Sequence, residues 1–255
     1  MKIINVNLGS ELERIKLIAL SDLHIGDRLC DYKAIKNAID TVAKEKDTYV
    51  ILNGDLMNCA IKSSVSDVYA ESISPKEQVE KLVELLTPIK DKILVIAGGN
   101  HEARIYKETG IDIVSLVAIQ LGIEKRYAED WWYLYLRFGR DKNKRNIVYT
   151  ITGTHGYGGG RKAGGKINNL IEMSDKVVAD IYIMGHTHTP ILTRNTIYIP
   201  DYQNKTLLKK DKYYLMTNSF LNYGGYGERY GFTPSTTEHQ EMELYGDKRK
   251  IRLIM

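Results

Sequence analysis

Five short apolar runs, rich in Ile, Val and Tyr, each stop abruptly in a polar segment. Ile15 to Leu20 runs into Ser21-Asp22-Leu23-His24, Tyr49 to Leu52 into Asn53-Gly54-Asp55, and Ile93 to Ala97 into Gly98-Gly99-Asn100-His101-Glu102. Ile147 to Thr152 leads to Gly153-Thr154-His155-Gly156, and Ile181 to Met184 leads to Gly185-His186-Thr187-His188. Continuous runs of this length predict strands buried on both faces.

Helical patterns lie between them. Ser74-Pro75-Lys76-Glu77 reads as a capping box with proline at the first helical position, followed by Val79, Leu82, Val83 and Leu86 on one face and stopped by Pro88. A second helix is predicted by Ala34, Ile35, Ala38, Ile39 and Val42 after Asp31, and a third from Asp112 to Gly122, a glycine suited to the position just past a helix. A fourth covers about 166–178. Alternating strands and helices predict an α/β fold whose sheet is largely covered on both faces. After Pro190 come strand-like segments, Leu192 to Ile199, Tyr213 to Thr217 and a final Lys250 to Ile254. The expectation is one domain over 1–255, with 191–255 supplying strands and a tail that complete or flank the core.

Composition narrows the class only a little. At 255 residues, 43% hydrophobic and 27% charged, the chain can bury a sizeable core. No stretch approaches the roughly 20 apolar residues of a membrane span, and Met1-Lys2-Ile3-Ile4-Asn5 lacks the blocks of a signal peptide, so a cytoplasmic, non-membrane protein is expected. Cys30 and Cys59 lack the close pairing of a zinc or redox motif and are expected as buried free thiols. A formal charge of +4 suits an anionic substrate and falls short of a basic stripe announcing nucleic acid.

The histidines carry more. Of six, His24, His101, His155, His186 and His188 all sit in the polar segments that end the five apolar runs. Ligands of open α/β sheets bind outside the carboxyl ends of strands, so five such ends offering His, Asp or Asn would converge on one crevice. In extended backbone, residues two apart share a face, so Asp22 with His24, and His186 with His188, would each aim two groups at one site. A set mixing carboxylate, amide and imidazole is too rich for one structural zinc and suits two catalytic cations about 3.5–4 Å apart.

The ordered set Asp22-Leu23-His24, Gly54-Asp55, Gly99-Asn100-His101-Glu102, His155-Gly156 and Gly185-His186-Thr187-His188 resembles the calcineurin-like metallophosphoesterase superfamily over about residues 15–190. The resemblance implies a two-sheet β-sandwich flanked by helices and two divalent metal ions. Asp22, His24 and His188 would bind one, Asn100, His155 and His186 the other, and Asp55 would bridge both. His101 would stand near the leaving group without being a ligand. The implied reaction is hydrolysis of a phosphoester by in-line attack of a metal-bridging hydroxide, with His101 as the catalytic proton donor. Manganese is the first expectation for the metal, with iron, zinc, cobalt or nickel as alternatives.

Subtype is less sharply marked. Asp22-Leu23-His24-Ile25-Gly26 resembles the opening motif of the superfamily's repair nucleases, whereas Gly-Asn-His-Glu resembles the phosphoprotein phosphatases. Those phosphatases continue after Gly-Asp with a Val-Asp-Arg-Gly-like string, which Leu56-Met57-Asn58-Cys59 does not match. The expected substrate is therefore a phosphodiester, a nucleotide or nucleic acid, with phosphomonoesterase or protein phosphatase as the alternative and a non-catalytic scaffold as a third reading. Oligomeric state is not legible.

Four other features have two readings each. The cluster from Gly158 to Lys166 is either a loop bringing Arg161, Lys162 or Lys166 to an anionic substrate or a solvated turn. Arg104 either binds a substrate oxygen or forms a surface ion pair. Trp131-Trp132-Tyr133 reads as a core-packed strand in preference to a base-stacking platform. Tyr223, Tyr226 and Tyr230 either rim the pocket or mediate self-association, and His239 is expected at the surface.

Overall fold

The computed structural model describes residues 1–62, 64, 68–160 and 162–254. All five apolar runs are strands. In chain order the strands are β1 (Lys2–Asn7), β2 (Arg14–Leu20), β3 (Thr48–Asn53), β4 (Ile93–Ala97), β5 (Tyr127–Ala128), β6 (Trp132–Arg140) and β7 (Asn146–Thr154). They continue with β8 (Ile181–Met184), β9 (Ile191–Asp201), β10 (Thr206–Met216), β11 (Glu241–Tyr245) and β12 (Ile251–Ile254). Two mixed six-stranded sheets result, one ordered β1-β6-β7-β8-β10-β9 and the other β12-β11-β2-β3-β4-β5.

The alternation along β2 shows why its sequence is continuously apolar. Ile15, Leu17 and Ala19 point into the core between the two sheets, where they meet Trp132, Leu134, Tyr149 and Ile183. Ile18 and Leu20 point the other way, into a core roofed by the helices α1 (Tyr32–Lys44), α2 (Pro75–Leu86) and α4 (Ile113–Leu121). The second sheet's outer face, with Tyr182, Met184, Tyr214 and Met216, is covered by Leu170 and Met173 of α5 (Ala163–Lys176). With both faces buried, a strand gains from apolar residues at every position. The architecture is the two-sheet sandwich flanked by helices that the resemblance implied.

Helix ends follow the local chemistry. Asp31 accepts from Ala34 N–H at 2.9 Å to open α1, and Ser74 and Glu77 form the reciprocal capping box of α2. Helix α4 opens on Asp112 and ends on left-handed Gly122. Pro88 falls in a 3₁₀ turn, Thr87–Lys92, that continues directly from α2. The hydrophobic pattern did not show β1, β5, β11, the short helix Gly225–Arg229 or the helix α3 (Glu102–Thr109), whose one buried residue is the polar Glu102. The predicted fourth helix begins at Ala163, three residues earlier than expected. Both cysteines are free and buried, Trp132 is a core residue of β6, and no helix among the described residues is long and apolar enough to cross a membrane.

Asp180 ties the sheet together at the end where β8 begins. Its carboxylate accepts from Thr150 N–H at 2.9 Å and Thr150 Oγ1 at 2.8 Å, and it pairs with Arg249 and with Lys210 at 3.4 Å. Burial would raise its pKa, but the Thr150 and Arg249 partners outweigh burial and hold it below the usual carboxylate range. A depressed folded-state pKa stabilises above the unfolded value of about 3.9 and ceases to do so as pH falls through the folded value. Asp180→Asn should therefore cost about 1–3 kcal/mol at pH 7, with the gap from wild type closing in strong acid. Denaturant unfolding at the two pH values measures it; a gap that stays constant would deny Asp180 its role.

Candidate metal centre

Strands β2, β3 and β4 run parallel, as do β7 and β8, so the polar segment after each opens at one end of the sandwich. Cross-loop hydrogen bonds continue the pairing past the strands: Asp22 N–H donates to Gly54 O at 3.0 Å, His24 N–H to Asp55 O at 3.1 Å, and Gly185 N–H to His155 O at 2.8 Å. The loops of each sheet are thereby stitched together, and His186 N–H joins the two sets by donating to Asp22 Oδ2 at 3.1 Å.

The side chains meet at that end. His188 Nε2 lies 3.1 Å from Asp22 Oδ1, and His24 Nε2 lies 3.9 Å from the same oxygen and 3.3 Å from His188 Nε2. His155 Nε2 lies 3.0 Å from Asp55 Oδ2 and 3.9 Å from Asp22 Oδ1, while His186 Nδ1 is 2.8 Å from Asn100 Oδ1. Among the described residues two groups have the spacing to hold a metal ion, Asp22-His24-His188 and Asp55-His155-His186, and a third, His24-Asp55-His101, shares His24 and Asp55 with them and adds His101. All seven side chains singled out as ligands thus belong to one contact network, and His101 joins it, with Nε2 3.7 Å from Asp55 Oδ2.

The convergence is achieved differently from the extended pairing expected for Asp22 with His24 and His186 with His188. These four residues and Asp55 have left-handed backbones, with φ of 53°, 48°, 67°, 52° and 49° respectively. A side chain with a Cβ in this region is strained, and such strain persists only where the surroundings hold it. The two-residue spacing works because both members of each pair turn left-handed, so the pleat is not what aligns them. Gly54, at φ 87°, has a further reason to be glycine: a Cβ there would lie 2.6 Å from Gly98 O and 2.7 Å from His155 Nδ1.

Outer hydrogen bonds decide which atoms face inward. Asp22 Oδ2 accepts from Ser21 Oγ and from His186 N–H at 3.1 Å, and Asp55 Oδ1 accepts from His101 N–H at 2.8 Å. His155 Nδ1 donates to Asn53 O at 2.9 Å and His101 Nδ1 to Asn58 O at 2.9 Å, while His24 Nδ1 faces Asn58 Oδ1 at 3.2 Å. Each ring therefore turns Nε2 to the centre, the tautomer control usual for metal-binding imidazoles. Asp22 Oδ1 and His155 Nε2 remain buried with no hydrogen-bond partner. Two inward atoms without a hydrogen bond, in a set of two carboxylates, one amide and four imidazoles, fit divalent cations.

The electrostatics point the same way. Burial opposes charge on His155, but Asp55 and Asp22 outweigh it and push the ring up to about 10. Burial would raise Asp22, yet His188 and His155 pull it down to about 2; Asp55 is likewise held well below the carboxylate range against burial, by His155 and His101. Burial keeps His24 well below the usual imidazole range, with His101 adding to it. The centre is a pair of anionic carboxylates that requires positive charge beside it.

Several supporting residues carried no sequence signal of their own. Asn53 lies fully buried between the sheets, with Nδ2 donating to Thr154 O at 2.8 Å and Oδ1 accepting from Trp132 Nε1 at 2.9 Å. Glu102 gathers the N–H groups of Asp55 at 3.2 Å, Met57 at 2.8 Å and Gly99 at 2.9 Å, so one carboxylate ties the loop after β3 to the loop after β4. Burial and the nearby Asp55 push Glu102 up to about 7. Lys166, one of three cations that one reading of the Gly158–Lys166 cluster offered to a substrate, is buried, donating to Thr187 O at 3.0 Å and Thr189 Oγ1 at 2.6 Å, which braces the His186–His188 loop. Arg104 lies beside the centre with Nη1 3.4 Å from Asn58 O, and Arg161 lies outside the described residues. His239 is an outlying residue that pairs with Glu241 at 3.4 Å.

The family model for calcineurin-like phosphoesterases matches residues 15–190. The chain belongs to that family. Among curated proteins, none matches its sequence. Similar solved structures include a conserved uncharacterized protein of Streptococcus pneumoniae, a predicted phosphoesterase, at 15% identity and TM-score 0.40, covering 95% of this chain and 90% of that one. The nuclease MPE of Pseudomonas putida aligns at 13% identity and TM-score 0.38, covering 93% and 87%. Vps29 of Entamoeba histolytica complexed with zinc aligns at 10% identity and TM-score 0.40, covering 94% and 97%.

Truncating Glu102 isolates its bracing role from the ligands themselves. Glu102→Ala leaves three backbone N–H groups without their carboxylate and should cost about 2–4 kcal/mol in unfolding free energy, together with about 10–100-fold in metal affinity. Thermal unfolding and calorimetric titration with Mn²⁺ read the two effects. Unchanged metal affinity would show that the two loops hold their positions without it.

Proposed function

We propose that this chain is a dinuclear metal-dependent hydrolase acting on phosphodiesters, nucleotides or nucleic acid, in preference to monoesters. The observation that carries the reading is the pair of buried, unpartnered inward atoms, Asp22 Oδ1 and His155 Nε2, amid a full set of Asp, Asn and His side chains. Asp22, His24 and His188 would hold one cation, Asn100, His155 and His186 the other, and Asp55 would face both. Manganese is the first choice, and iron, zinc, cobalt and nickel share the same donor chemistry. When bound, the cations would activate water for in-line attack and neutralise charge on the phosphoryl oxygens.

The chain's own residues do the rest. Ser21 and the His186 N–H hold the Asp22 carboxylate in one orientation, and Asn53 and Asn58 hold three histidines in theirs, so the donors need little rearrangement on loading. His101 keeps Nδ1–H on the Asn58 carbonyl, so the proton it transfers is carried on Nε2, the atom facing the centre. That nitrogen is the proposed donor to the departing oxygen. Arg104 is a candidate for holding a substrate oxygen because it lies beside the centre, and Arg161 is proposed for the same task on sequence grounds.

An open rim supports diester substrates. Asn100 is exposed and the His188 side chain is 37% exposed, which leaves room for a substituent on each side of phosphorus. Glu102 in the Gly-Asn-His-Glu string favours the second reading, a phosphomonoesterase or protein phosphatase. The scaffold reading is weaker, because each of the seven donor positions is filled and in contact with another. The pairing of β11 with β2 supports treating 1–255 as one working domain, and the two free buried thiols fit a reducing cytoplasm.

Purified protein loaded with each metal and assayed on matched diester and monoester substrates tests this directly. Turnover should be metal-dependent and faster on the diester, with Asp55→Asn losing at least about 10²-fold. His101→Ala should retain two metals by elemental analysis and lose roughly 10²–10⁴-fold in kcat. No turnover with any of the five metals would remove the enzymatic reading; an unchanged kcat in His101→Ala would remove that residue from the mechanism.

A further inference from the structure

The end of the molecule opposite the metal centre carries a feature that phosphoester chemistry does not use. Strand β10 pairs with β8 only from Tyr213 to Met216, but with β9 along its whole length from Thr206 to Met216. The seven rungs from Lys212–Asn195 to Thr206–Asp201 therefore form a two-stranded ribbon that projects about 23 Å past the sheet. A ribbon of two strands is marginal in water by itself. This one exposes apolar side chains on both faces: Tyr198 at 65% and Leu207 at 64% on one, Leu208 at 55% on the other.

Its outer strand is a lightly guarded edge. β9 is the last strand of its sheet, with eleven residues in unbroken register and the sequence Ile-Leu-Thr-Arg-Asn-Thr-Ile-Tyr-Ile-Pro-Asp, which holds no lysine, glutamate or bulge. The other terminal strands are short: β1 has six residues, β12 four and β5 two. The guards of β9 are Arg194 and, at the far end, Pro200 and Asp201, and a long edge so lightly guarded can pair with another chain.

The edge also indicates which chain. Pro200 has no N–H, so it belongs where a backbone N–H would face outward, and the alternation of an antiparallel ladder turns Leu192, Arg194, Thr196 and Tyr198 outward with it. An antiparallel partner must oppose outward residues with outward residues. A two-fold axis at Thr196 does this with the edge itself: Arg194 meets the Tyr198 ring of the second copy, Thr196 meets Thr196, and Pro200 falls at the end of the ladder. Lys209 and Lys210 lie one strand further in, away from the seam.

We propose that β9 pairs antiparallel with β9 of a second copy about Thr196, joining two six-stranded sheets into one continuous sheet with the two metal centres at its far ends. Sedimentation equilibrium of the full chain should show a dimer. Thr196→Lys, which opposes two lysines at the axis, should weaken the dimer by at least roughly tenfold, with phosphoesterase activity and melting temperature retained. Thr196→Val, which loses the same 2.7 Å hydrogen bond to Asp211, should stay dimeric. Thr196→Cys should form an interchain disulfide on oxidation, since opposed residues at such an axis lie about 5.5 Å apart between Cα atoms. A wild-type monomer at every concentration, a Thr196→Lys dimer as tight as wild type, or a monomer whose Lys205 and Lys209 bind a labelled oligonucleotide would each overturn the proposal.

Discussion

Two carboxylates, Asp22 and Asp55, are buried side by side at the ends of neighbouring strands, and the cost of burying that charge is the constraint around which the rest of the centre is arranged. A buried anion is tolerated only with opposite charge and hydrogen bonds at its oxygens. Backbone and hydroxyl donors take up the outer oxygens, Asp22 Oδ2 and Asp55 Oδ1, and five imidazole rings crowd the inner side. Those donors do not exhaust the demand. Asp22 Oδ1 and His155 Nε2 stay without hydrogen-bond partners, and the neighbouring imidazoles hold both carboxylates below their usual range.

Holding that arrangement takes conformational energy, which the surrounding sandwich supplies. Five of the seven donor residues adopt left-handed backbones that only over-determined surroundings maintain. The restraint comes from groups with no chemistry of their own. Glu102 gathers three backbone N–H groups, Asn53 spans the two sheets beneath His155, Asn58 orients two histidines, and Lys166 braces the last loop. The bonds that position the candidate donors are thus also bonds that hold loop to loop and sheet to sheet. Preorganisation of this kind spares the site reorganisation when charge develops on a substrate.

The two ends of the sandwich have different physical characters. At the carboxyl ends of β2, β3, β4, β7 and β8 the surface is polar, dense in hydrogen bonds and strained. At the opposite end Asp180 locks the entry to β8 to Thr150, Arg249 and Lys210, and beyond it the β9–β10 ribbon continues with apolar residues open to water. With the sheet between them, the proposed chemistry at one end and the proposed association at the other would use separate surfaces.

Local sequence determined the elements that gain from local physics. Runs buried on both faces, the cap at Asp31, the capping box at Ser74 and the left-handed stop at Gly122 are visible because each is satisfied within a few residues. The candidate donors were visible too, since Asp22, His24, Asp55, Asn100, His155, His186 and His188 all follow strands, and a strand end is a place in space as well as in sequence. Only the tertiary structure decided how they meet. It placed the five strands in two sheets, replaced the expected pleated spacing by left-handed turns, and recruited Asn53, Asn58 and Glu102 across gaps of tens of residues. Helix α3 and strand β1 were hidden for the same reason: α3 buries little beyond Glu102 and β1 little beyond Ile4 and Val6, so their stability comes from partners distant in the chain, which no local window contains.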